Sequence, residues 1–179
     1  MSPQRITETP SRIVVPGAHI ARVDAPASAS ETASRCARIL ATDGPVGALR
    51  FLNARTRFRF TGIYRAEPPL LRNVWLFDRE NPTLNVSGEV CPLEETYCAI
   101  VAGRGLPFRT ADARRDARLA THASREHVIS YCGVPIRRDD GRVWGSLCHF
   151  DVRPRLLPRS EIEVLEAVAG DVGRWTWDV

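Results

Sequence analysis

The stretch Ile129–Asp151 limits what this chain can fold into more than any other part of it. Ile129-Ser-Tyr-Cys-Gly-Val-Pro-Ile136 is rich in β-branched and aromatic residues, whose side chains suit a pleated, half-buried surface. Arg137-Arg-Asp-Asp-Gly-Arg142 supplies the reversal, since Asp140-Gly141 accepts positive φ in a tight turn. Val143-Trp-Gly-Ser-Leu-Cys-His-Phe-Asp151 then returns apolar and aromatic. The pattern predicts an antiparallel hairpin. Both runs are apolar on both faces, so they read as central strands covered by helices, and the hairpin is expected to floor any pocket the protein has.

The other elements arrange themselves around this hairpin. Residues 1–27, rich in Pro, Ser and Ala, read as a tail able to add one edge strand through Ile13-Val-Val15. Ser28-Ala-Ser-Glu31 has the form of a capping box. The helix it opens carries Cys36, Ile39 and Leu40 and is expected to stop at Gly44-Pro45. Val46, Leu49 and Leu52 predict a second helix to about Arg55. Strands are expected over Phe58–Arg65 and Leu71–Phe77, with the turn at Glu67-Pro-Pro69 and a turn-rich loop over 78–91. Pro92–Val101 reads as a helix ended by Gly103 or Gly105, Pro107–Asp112 as a short strand, and Arg114–His127 as a polar helix anchored by Leu119. Ser160 and Glu163 suggest a second capping box, before an apolar stripe of Ile162, Leu165, Val168, Ala169 and Val172. Trp175 and Trp177 then need cover, which a dimer interface would supply.

Taken together, Ser130-Tyr-Cys-Gly-Val-Pro-Ile136, Asp140-Gly141 and Gly145-Ser-Leu-Cys-His-Phe-Asp151 resemble the last two sheet strands of a GAF domain. That family's usual pattern is a "VP-hydrophobic" strand, a short turn and "G-x-L-x-x-x-D". Thr110-Ala-Asp-Ala113 with Asp116-Ala-Arg-Leu119 is similar to its strand-then-helix segment, and the resemblance spans roughly Val46 to Val172. It implies an α/β fold of the α+β type, a GAF/PAS-like central antiparallel sheet of about five to six strands with helices on both sides. The domain would occupy residues 28–179. The resemblance also implies a ligand cavity between the sheet and the Pro92–Val101 helix, and N-terminal helices that pair between subunits in a homodimer.

Composition narrows the partners. The chain has 179 residues and 44% hydrophobic content, enough for one domain with a sizeable core. No apolar run reaches the roughly 20 residues of a membrane span, and the N-terminus reads as no signal peptide, which points to the cytoplasm and away from membranes. The net charge is +4 and every basic residue is arginine. These arginines are interleaved with Asp and Glu instead of forming a stripe, which argues against nucleic-acid binding.

The candidate site residues follow from the expected cavity. Trp75, Phe77, Tyr97 and Tyr131 offer flat apolar surface, while Glu94, Thr96 and Asp112 offer directed hydrogen bonds. Cys98, Cys132, Cys148 and His149 complete the lining. The plainer reading is that the aromatics fill the core and the cysteines are small buried hydrophobes. Five cysteines with no CxxC spacing exclude a zinc ribbon or thioredoxin motif, and no metal set, Ser-His-Asp arrangement or phosphate loop is recognisable. The chain also lacks the "N-K-F-D-E" element of cyclic-nucleotide GAF domains. The expected function is therefore a non-catalytic sensory or regulatory module for an unidentified small molecule, of unknown cofactor, signalling through its own dimer or a protein partner. The alternative on the same fold is a thiol-dependent redox enzyme of the free methionine-(R)-sulfoxide reductase type, although that family's "A-C" and "G-V-C-G" segments are missing.

Overall fold

The computed structural model describes residues 27–84 and 87–176. Six strands form one antiparallel sheet in the order β3-β2-β1-β6-β5-β4. They are β1 Phe60–Glu67, β2 Leu70–Asp78, β3 Val90–Pro92, β4 Phe108–Thr110, β5 Ser130–Arg137 and β6 Val143–Asp151. Helices α1 Ala29–Ala54 and α3 Arg159–Thr176 cover one face of the sheet, and α2 Tyr97–Arg104 covers the other. The expected edge strand at Ile13–Val15 and the expected burial of Trp177 lie outside the described residues.

The hairpin that dominates the sequence is β5–β6, and β6 lies between β1 and β5 near the middle of the sheet. Gly141 takes φ +81° in its turn, where the Arg138 amide donates to the Arg142 carbonyl at 2.9 Å. Successive strand residues alternate between two cores. Leu147, Val134, Ile136 and Cys132 point toward α1 and α3 and join Leu49, Leu52, Leu165 and Val168. Cys148 and Tyr131 point the other way and join Tyr97, Val101 and Phe108. Fully burying a leucine such as Leu147 stabilises the fold by about 2 kcal/mol.

The capping box at Ser28 and Glu31 is present, with the Ser28 amide 2.8 Å from the Glu31 carboxylate. Gly44 (φ 69°, ψ −174°) and Pro45 break the helical conformation as expected, but the two arms are halves of one kinked α1 packed on one core. At α3 the helix starts at Arg159, so Ser160 sits inside its first turn and cannot be the cap. The apolar stripe is buried as expected at Leu165, Val168, Ala169 and Val172.

Two expected helices are corrected. Val90–Pro92 pairs with Leu70–Arg72 as the edge strand β3, Leu93–Glu95 forms a 3₁₀ turn, and α2 begins only at Tyr97. Arg114–His127 is three 3₁₀ turns, because Asp112, Asp116 and His122 each accept a bond from the backbone amide two residues on. Such side-chain caps compete with the helical ladder at every turn.

Beneath α1 lies a buried polar chain. The Asn53 side-chain amide donates to the Thr61 hydroxyl at 2.8 Å, and that hydroxyl lies 2.7 Å from His149 Nδ1. Burial keeps the imidazole neutral, and its Nε2 has no partner. Burial first, then the Arg79 charge, holds the His149 pKa down to about 3. Below about pH 6.5 the unfolded chain binds a proton at this histidine that the folded chain refuses. Stability is accordingly expected to be flat above that pH and to fall by about 2 kcal/mol between about pH 7 and pH 5. Urea unfolding at the two pH values measures the slope, and His149→Gln should remove it.

Candidate functional site

The face covered by α2 holds a small cavity of about 140 Å³. Tyr64 from β1, Leu71 from β2, Tyr131 from β5 and Cys148 and Phe150 from β6 form its floor, and Tyr97 and Cys98 from the first turn of α2 form its roof. Val128, Thr96, Ser124 and the exposed Cys91 close the remaining sides. None of these side chains is a carboxylate, guanidinium or imidazole.

Local sequence explains how the roof is held. The Tyr97 hydroxyl donates to the Val128 carbonyl at 3.1 Å, and the Ser124 hydroxyl donates to the Glu95 carbonyl. The Tyr97 ring meets Tyr131 edge-on, with centroids 5.5 Å apart at 71°. Tyr131 lies along its own strand over Gly133, where an added Cβ would be 2.2 Å from the phenolic oxygen. That glycine lets the phenol reach Cys98, with Sγ and the hydroxyl 3.4 Å apart.

Electrostatics separate one thiol from the rest. Burial pushes Cys36 up to about 11 and Cys132 up to about 12, and burial also raises Cys91. Cys98 goes down. The neighbouring Cys148 thiol is the largest cause, and the Tyr131 phenol, 3.4 Å away, adds to this against the cost of burial. The buried Ser146 hydroxyl has no hydrogen-bond partner. Cys148 is held protonated by burial and by the neighbouring Cys98. Tyr131 is raised well above its ordinary value by burial and Cys98, so its phenol stays a donor.

A larger cleft of about 660 Å³ opens to solvent beyond β4, and Tyr131 is the wall between the two spaces. Its charges are largely consumed internally, with Arg118 on Asp116 at 2.6 Å and Arg155 on Asp151 at 2.8 Å. The small cavity is the better candidate because its lining is mostly apolar and carries no charged side chain.

Of the residues expected to form the site, the structure brings together Thr96, Tyr97, Cys98, Tyr131 and Cys148. Trp75, Phe77 and Cys132 pack instead toward α1 and α3, and His149 is held there by Thr61. Glu94 lies in an outer groove beside Pro92 and Leu93. Asp112 borders the open cleft, its carboxylate bound to Arg114 at 3.1 Å. Residues absent from the expected set are Tyr64, Leu71, Cys91, Ser124, Val128 and Phe150. Counting by twos from Cys148 would have found Phe150, whereas Tyr64 and Leu71 depend on strand pairings that no local pattern announces. Among the described residues no group of three His, Cys, Asp or Glu side chains could hold a metal ion, and no helix is long and apolar enough to cross a membrane.

A six-stranded antiparallel sheet, with a paired-helix layer on one face and a short helix over a small cavity on the other, defines an α+β domain. The GAF domain family model matches residues 24–174, and the chain belongs to that family. No curated protein matches the sequence. Among solved structures, the GAF domain of Acinetobacter phosphoenolpyruvate-protein phosphotransferase is similar at TM-score 0.65 and 15% identity, over 82% of this chain and 91% of that one. Free methionine-R-sulfoxide reductase from Neisseria meningitidis, in complex with its substrate, is similar at TM-score 0.64 and 14% identity, over 82% and 87%. The chromophore-binding domain of a bacteriophytochrome from R. palustris is similar at 0.59 and 11%, over 80% of this chain and 60% of that one.

Proposed function

We propose that the protein is a sensory GAF module that binds a small neutral molecule in the α2-side cavity and works as a homodimer through α1 and α3. The observation that carries this reading is a small, mostly apolar cavity with no charged side chain in its lining. Apolar cavities of roughly 150 Å³ accept a molecule of benzene's size. The hydroxyls of Thr96, Ser124 and Tyr131 supply orientation without charge. The same lining weighs against the methionine sulfoxide reductase reading, since an amino-acid zwitterion buried there would lack partners for both charges. Trp175 on α3 is 48% exposed and Val46 on α1 39%, leaving apolar surface on the helical layer for a second copy to cover. Native mass spectrometry of the purified protein with phenol and indole as probes tests both parts. A dimer carrying one probe per chain is expected. A monomer overturns the assembly, and no retained probe overturns the ligand class.

A further inference from the structure

Three of the five cysteines, Cys91, Cys98 and Cys148, border the one cavity, and the binding of a neutral ligand makes no use of them. Cys98 comes from the first turn of α2 and Cys148 from the middle of β6, and both side chains line the same small cavity. The Tyr131 hydroxyl lies on the same sulfur, 3.4 Å from Cys98 Sγ. Cys98 thus has a phenol that can donate to its anion, and a second thiol shares its cavity. That is the arrangement two-electron thiol oxidation requires.

We propose that Cys98 and Cys148 are a reversible dithiol–disulfide pair oxidised by small neutral hydroperoxides, which makes the cavity a peroxide-sensitive site. The Cys98 thiolate attacks one peroxide oxygen. An S–O bond forms, the O–O bond breaks, and the departing oxygen takes a proton from solvent and leaves as water or alcohol. The sulfur of Cys148 then attacks Cys98. The S–S bond forms, the S–O bond breaks, and the hydroxyl leaves as water with the Cys148 proton. Two thiols lose two electrons and one peroxide gains them. The order follows from the site, because Cys148 is held protonated partly by the Cys98 anion, and the first step removes that anion. The uncharged lining admits a neutral oxidant and disfavours a charged one. Cys36 and Cys132 lie in the other core, on the far side of the sheet.

The test uses the full reduced chain and equimolar hydrogen peroxide, read by intact mass and by peptide mapping without reductant. The expected result is a loss of about 2 Da, a Cys98–Cys148 linked peptide and full return on adding dithiothreitol. Cys148→Ser should stop at a Cys98 sulfenic acid that dimedone traps, and Cys98→Ser should lose the reaction. Five free thiols after excess peroxide, a linkage through Cys91, or a Cys98→Ser protein that oxidises like the wild type would each overturn the proposal. If a variant fails to fold, the wild-type peptide map decides alone. Phenol binding is measured separately on the reduced protein, so loss of either reading leaves the other standing.

Discussion

Gly145→Ala is expected to destabilise the domain by about 4 kcal/mol or more. Gly145 lies on β6 opposite Arg65 of β1 and Ile136 of β5. Its strand neighbours approach so closely that an added Cβ would fall 1.9 Å from the Tyr64 carbonyl oxygen and 3.0 Å from the Arg65 Cα. The obstructing atoms are backbone, so no rotamer change relieves them. β1 cannot retreat either, because it is paired with β2 on its other side and is already irregular between Ile63 and Tyr64. Alanine must therefore break β1–β6 pairing at the centre of the sheet. Gly170→Ala is the control. This position is exposed on α3, an added Cβ meets nothing within 4 Å, and the variant should gain roughly 0.5–1 kcal/mol. Urea unfolding of the two variants should move the midpoint in opposite directions. Equal midpoints would show that the close approach at Gly145 is absent in solution.

The second large effect is expected at Tyr131. Its side chain is 3% exposed and packs against Tyr97 and Phe108, so Tyr131→Ala should cost about 3–5 kcal/mol. The same change opens the cavity into the outer cleft, because this ring is the wall between them. Probe-dependent stabilisation, which grows with probe concentration over its dissociation constant, should then vanish. Tyr131→Phe separates the two roles. It keeps the ring and removes the hydroxyl beside Cys98, at a cost of about 1 kcal/mol, and should retain probe binding. Thermal melts with and without phenol read both effects. A shift that survives Tyr131→Ala and Thr96→Ala places the probe somewhere else.

Much of this architecture was legible in the chain because its strongest signals are local. Asp140-Gly141 between two apolar runs, Ser28 with Glu31, and Gly44-Pro45 each act within a few residues, and each appears where its chemistry puts it. The site was less legible. Tyr131 and Cys132, like Cys148 and His149, are neighbours on one strand and must point to opposite faces, yet all four were expected in one pocket. Period two alone assigns Cys132 and His149 to the other core. By contrast, β3 is three residues with no apolar alternation and exists only because the edge of β2 accepts it. The turns over 113–126 were hidden by helix-compatible composition, and the short-range caps of Asp112, Asp116 and His122 overrode it.

The shortness of the two outermost strands has a consequence for how this molecule can meet others. β3 and β4 are three residues each, β3 ends in a proline that has no amide to offer, and Arg109 stands exposed in the middle of β4. Neither rim presents the long, flat row of free backbone groups on which a foreign strand could template itself. Fibre-like growth and capture of extended peptides are both discouraged at the margins. In the proposed dimer, contact would instead be side chain against side chain across the helical layer, a geometry that closes on itself after two copies.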